Sequence, residues 1–157
     1  MKPRVNSHYH QGYYKPVNEK KYIGQDFRII YRSGLELKMC NYLDYNKEVV
    51  EWSSESIKIP YLNSVDQNWH NYYPDFYVMM IKDGVRKVKI IEVKPSSQIV
   101  KPKPPKRKSR KAINRYNREA RTYVQNMSKF KYAKKYCADR GWEFVILTEK
   151  SIKKLYS

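Results

Sequence analysis

The apolar positions of this chain follow two periods. In "SGLELKMCNYLDYN", Leu35, Met39, Tyr42 and Leu43 recur at i, i+4, i+7 and i+8, which predicts a helix with Ser33 as its N-cap. "VVEWSS" and "SIKIPYL" predict two short strands, and the polar run "NSVDQNWHNYY" predicts a loop. From Tyr72 to Lys94, "YYPDFYVMMIKDGVRKVKIIEVK" carries two apolar runs separated at Asp83-Gly84, a strong hairpin signal. A long helix is predicted over 112–139, with Tyr116, Ala120, Tyr123, Met127, Phe130, Ala133 and Cys137 as its stripe and Gly141 placed to end it. "WEFVIL" predicts a buried strand, and Thr148 is placed to cap a last short helix over "EKSIKKLY". The order α-β-β-β-β-α-β-α predicts one mixed α/β domain, an α+β arrangement around a mixed sheet, spanning 31–157. Residues 1–30 lack a sustained period and are expected to form an N-terminal arm lying on it.

Composition adds a partner. Thirty-three Lys and Arg face fifteen Asp and Glu, a net charge of +18. Such an excess destabilises a compact state by self-repulsion, so it is expected to serve a polyanion, nucleic acid first. No apolar run approaches the roughly 20 residues of a spanning helix, and "MKPRVNSHYHQGYY" is not expected to be a signal peptide, so no membrane role is expected. Cys40 and Cys137 form no CxxC pair and are expected to be buried free thiols. Sixteen tyrosines suit stacking on bases and ordinary half-burial alike.

The charge concentrates where the composition breaks. "PSSQIVKPKPPKRKSRK" (95–111) is too rich in proline and charge for a packed element and is expected to be a mobile basic loop. Its Lys101, Lys103, Lys106, Arg107, Lys108, Arg110 and Lys111, with Arg115 beyond, are candidate phosphate contacts; a solvated linker and helix face would look the same. Arg32, just before the first helix, is a weaker candidate. No base-reading motif is present, so little sequence specificity is expected.

The hairpin register supplies the chemistry. With Asp83 and Gly84 as a type I′ turn, cross-strand partners have numbers summing to 167, so Asp75 falls opposite Glu92. Directly opposed residues share a face with Cβ atoms roughly 5 Å apart, and Lys94 shares it by the period-2 rule. Two opposed acids destabilise a hairpin unless a cation lies between them, and hard oxygen ligands at a ladder end suit Mg²⁺. A lysine beside such an ion can stabilise charge on a phosphorane or orient a water, so the cluster points to metal-assisted phosphodiester hydrolysis. The competing reading is that acids at strand ends merely solvate them. Glu36 completes a capping box with Ser33, which explains it fully, or it adds a third acid to the cluster. His70 is left outside the catalytic set; His8 and His10 could bind metal adventitiously. A non-catalytic basic protein of a nucleoprotein particle fits the composition equally well, and only the carboxylate register favours hydrolysis.

"PD" at 74–75 and "EVK" at 92–94, after a helix carrying Glu36, resemble the PD-(D/E)xK nuclease motif. The resemblance implies a restriction-endonuclease-like αβββαβ core. It implies that Asp75 and Glu92 hold Mg²⁺, with Mn²⁺ able to substitute, that Lys94 is the catalytic lysine, and that Glu36 is the helix acid some members add. The wider pattern "RSGLE … YYPDF … IIEVKP … WEFVILTE" is similar to transposon-end endonucleases of this superfamily, on a fold that junction-resolving nucleases share. Over roughly 31–156 the chain also resembles the small basic head-completion nucleases of T-even-like tailed phages. That likeness implies a virion protein, made in the host cytoplasm, that acts on packaged DNA ends before tail attachment and meets the portal or neck proteins.

Overall fold

Asp83 and Gly84 both take positive φ, 51° and 75°, the backbone a type I′ turn demands. Around this turn the computed structural model describes residues 11–156; His8 and His10 lie outside them. Along the chain run β1 (Gly12–Tyr14), β2 (Ile29–Tyr31), α1 (Gly34–Tyr45), β3 (Val49–Ser54), β4 (Ile59–Asn63), β5 (Asn68–Tyr72), β6 (Phe76–Lys82), β7 (Val85–Val93), α2 (Arg110–Asp139), β8 (Glu143–Leu147) and α3 (Glu149–Leu155).

The central sheet has the order β3-β6-β7-β8. β6 lies antiparallel to both β3 and β7, and β8 runs parallel to β7 after the crossover through α2. The expected register holds: Lys82 opposes Val85, and Phe76 opposes Ile91. There the ladder stops, so Asp75 stands one residue before its last pair and Glu92 one residue after. The order α1-β3-β6-β7-α2-β8 is the expected αβββαβ core.

Two parts of the chain depart from expectation. The stretch expected to be a polar loop contains β5, which pairs with β4 in a separate hairpin, Ile59 opposite Tyr72 and Asn63 opposite Asn68. Only Tyr72 of its five residues is buried, so no apolar alternation marks it in the sequence. The other departure is the arm. Residues 11–30 are built into the domain: Tyr22 and Ile29 join Met39, Cys40, Leu43, Trp52, Phe76, Val78, Ile91, Val93 and Ile152 in the main core. Buried Asp44 on α1 holds them, accepting hydrogen bonds from Tyr14 Oη (2.6 Å), Val17 N (2.7 Å) and Asn18 N (3.0 Å). A boundary at residue 31 would cut through this core.

Helix α2 begins at Arg110, two residues before the expected start, because Ser109 Oγ accepts the Ala112 N–H at 3.2 Å. Phe130, Ala133 and Cys137 are buried, whereas Tyr116, Ala120, Tyr123 and Met127 are only partly covered. Ala133 packs with Ile59, Tyr61 and Tyr72, so the β4–β5 hairpin docks on this helix. Thr148 occupies the N-cap position of α3 but makes no capping bond; its hydroxyl faces Ser151 Oγ at 3.4 Å. Cys40 and Cys137 are buried free thiols, and burial pushes the Cys137 thiol up to about 11. Among the described residues no helix is long and apolar enough to cross a membrane.

Candidate active site

The end of the β6–β7 ladder is where acids meet. Buried Pro74 leads into Asp75, whose Oδ2 accepts the Val93 N–H at 2.7 Å. Its carbonyl accepts the N–H of Glu55, a residue at φ 50° just after β3. Glu92 points inward from β7 and is 6% exposed. Its Oε2 accepts from Tyr72 Oη at 2.5 Å, and its Oε1 lies 3.3 Å from Lys94 Nζ. The backbone N–H of Lys94 donates to Leu147 O at 3.0 Å, continuing the parallel pairing with β8 beyond the strand.

Electrostatics ties these groups together. Burial pushes the Asp75 carboxyl well above the usual carboxylate range, and the charges of Glu92 and Glu36 push the same way; the Val93 bond and Lys94 act against them. Glu36 is also raised, first by burial, with Glu55 reinforcing and Arg32 and Ser33 opposing. Its backbone N–H bonds Ser33 Oγ at 3.1 Å and its Oε2 accepts the Arg32 N–H at 2.9 Å. Glu36 therefore caps α1 and also stands in the field of Asp75. The charges of Glu36, Glu92 and Lys94 all act on Asp75.

Other expected residues fall elsewhere. The guanidinium of Arg32 pairs with Glu55 at the rim. Lys101, Lys103, Lys106, Arg107, Lys108, Arg110, Lys111 and Arg115 are exposed, in a segment without helix or strand and at the start of α2. Of these, Arg115 pairs with Glu119 at 3.0 Å. His70 bonds Asp66 at 2.6 Å at the tip of the inserted hairpin. Three residues at or beside the site escape a reading of the sequence: Tyr72, Glu55 and Lys129. The Lys129 ammonium lies 5.6 Å from the centre of the Tyr72 ring. Residue 129 falls among the buried positions Asn126, Phe130 and Ala133 of α2, where a lysine is out of place.

The donor set suits a hard cation. Buried Glu92 and partly buried Asp75 crowd each other, and such crowding is relieved by a divalent charge that keeps waters and needs one or two carboxylates. Among the described residues no group of three His, Cys, Asp or Glu stands close enough together to hold an ion alone. Asp75 and Glu92 would therefore share the ion with water and substrate oxygens.

Residues 46–149 match the family model described as TnsA-like endonuclease N terminal. The chain belongs to this endonuclease family. The matched segment takes in Asp75, Glu92 and Lys94, whereas Glu36 and Arg32 lie before it. The chain is also 32% identical, over 146 residues, to the head completion nuclease of Enterobacteria phage T4, covering 93% of this chain and 95% of that protein. The membership agrees with the αβββαβ core, into which this TnsA-like endonuclease inserts the β4–β5 hairpin that carries Tyr72.

Proposed function

We propose that the protein is a Mg²⁺-dependent DNA endonuclease of a phage particle that processes packaged DNA ends during head completion, before tail attachment. The observation that carries this reading is the pair of acids at the ladder end, buried Glu92 and partly buried Asp75, with Lys94 Nζ 3.3 Å from Glu92 Oε1. The family membership and the likeness to the phage T4 nuclease support it. Asp75 and Glu92 would hold Mg²⁺, with Mn²⁺ as substitute; the ion supplies Lewis-acid charge and makes a bound water more acidic.

The chain's own groups do the rest. Hydrolysis joins a water oxygen to phosphorus and breaks one phosphodiester P–O bond. Lys94, held by Glu92, presents its ammonium to the charge that builds on the phosphoryl oxygens or orients the attacking water. Tyr72 and Val93 fix the carboxylate orientations through their hydrogen bonds. Glu36 supports Asp75 from the first turn of α1. The exposed cations of 101–111 and Arg115 hold backbone phosphates without reading bases. In the particle the protein works beside the portal or neck proteins.

The test is nicking of supercoiled plasmid in Mg²⁺, stopped by EDTA, with Asp75→Ala, Glu92→Ala and Lys94→Ala compared. Loss of cutting with little loss of DNA affinity in all three is the expected result. A wild type that binds DNA tightly yet never cuts it with Mg²⁺ or Mn²⁺ would make this a basic connector protein instead. Equal loss of binding and cutting in Lys94→Ala would make that lysine a general phosphate contact.

A further inference from the structure

Lys129 is half-buried on the face of α2 that carries buried Asn126, Phe130 and Ala133. Its ammonium packs 5.6 Å from the centre of the Tyr72 ring, and the Tyr72 hydroxyl donates to Glu92 Oε2 at 2.5 Å. One aromatic ring therefore links this lysine to a carboxylate of the site. Lys129 makes no ion pair of its own within 4.0 Å of a carboxylate among the described residues. Burial lowers its affinity for a proton, and Lys94 lowers it further; Glu92 and Asp75 act the other way. All three residues are thus near enough for their charges to be felt.

A half-buried ammonium with no carboxylate partner is costly to keep. Packing of the lysine stem accounts for the methylenes but not for the charge, since a methionine would pack as well. An anion that arrives only with substrate accounts for both. The backbone of DNA supplies such an anion.

We infer that Lys129 is a second catalytic lysine, contacting a non-bridging oxygen of the scissile phosphate beside Lys94, with Tyr72 as the residue that positions it. This rests on the endonuclease reading above. Lys94 is paired with Glu92 at 3.3 Å, whereas Lys129 feels the acids only at a distance, makes no ion pair among the described residues and is available to the phosphate. Charge on the phosphoryl oxygens grows toward the transition state, so the effect should fall on kcat more than on KM.

The experiment compares wild type, Lys129→Met, Lys129→Arg and Asp75→Ala in Mg²⁺ on a duplex at saturating protein, with melting temperatures of each. Lys129→Met should cut about 10²-fold more slowly, with DNA affinity changed less than about twofold, and should melt at or above wild type because an unpaired ammonium has become an apolar chain. Lys129→Arg should recover most of the rate. The inference is overturned if Lys129→Met keeps the wild-type rate while Asp75→Ala is dead. It is also overturned if the rate falls only in step with a lowered melting temperature and returns on cooling. A wild type that does not cut at all removes the endonuclease reading, and this inference with it.

Discussion

The hydroxyl of Tyr72 donates a 2.5 Å hydrogen bond to Oε2 of Glu92, tying the inserted β4–β5 hairpin to the central strand β7. The bond leaves Glu92 one oxygen toward Lys94 and fixes the plane of its carboxylate. Tyr72→Phe removes the donor and leaves a buried carboxylate oxygen without it. The expected cost is about 1–3 kcal/mol in urea unfolding. If Glu92 holds Mg²⁺ as proposed, the Mg²⁺ concentration for half-maximal cutting should rise by about tenfold or more, because the carboxylate loses the group that orients it. Unchanged Mg²⁺ dependence would show that Glu92 keeps its orientation without Tyr72.

Asp75→Asn separates metal binding from catalysis. The amide oxygen can still accept the Val93 N–H, while the like-charge crowding with Glu92 and Glu36 disappears. Without divalent ions the variant should melt higher than wild type. On adding Mg²⁺ at about a hundred times its dissociation constant, wild type should gain about 2.7 kcal/mol and the variant little, reversing the order. Thermal melts with and without Mg²⁺ are the measurement. An equal gain in both proteins would remove Asp75 from the ligand set.

Asp44 predicts a pH dependence of stability unconnected with cutting. Burial works against its charge, but hydrogen bonds from Tyr14, Val17 and Asn18 prevail and hold its carboxyl below the usual range. A folded-state value below the unfolded one means stabilisation that is complete above about pH 4 and is lost as pH falls through the folded value. Asp44→Asn should therefore cost about 2–3 kcal/mol at pH 7, and the gap to wild type should shrink in strong acid. Urea unfolding at pH 7 and in acid decides it; a gap of constant size means the carboxylate charge is not what matters.

Replacing Lys101, Lys103, Lys106, Arg107, Lys108, Arg110 and Lys111 with serine should weaken DNA binding. It should also flatten the plot of log affinity against log salt, by about 0.9 for each phosphate that is no longer neutralised. Plasmid binding titrated over a range of salt gives the slope. If it does not change, these exposed side chains face a protein partner rather than DNA.

The acids are legible in the sequence because a two-residue turn fixes register and register fixes faces. Asp83 and Gly84 announce that turn, and counting outward from them reaches Asp75 and Glu92. Tyr72 is not legible as a site residue, since β5 buries one side chain in five and gives no periodic signal. Lys129 is obscured by charge: the helix runs through a sequence dense in lysine, where one inward-facing ammonium looks like the outward ones. The packing of residues 11–30 depends on polar bonds to a single carboxylate, Asp44, and hydrophobic periodicity carries no trace of such an anchor.

The Asp83–Gly84 turn has a reach beyond its own two residues. Seven cross-strand pairs separate it from the acids, about 24 Å of ladder at about 3.4 Å per residue. Over that span it works as a spacing gauge. One residue added there would either bulge out of the hairpin or slip the ladder, and a slip turns Glu92 to the opposite face while leaving every acid in the sequence intact. To heredity, then, the turn belongs to the site: an insertion at the far end of the hairpin, touching no reactive group, can silence the enzyme as completely as loss of an acid.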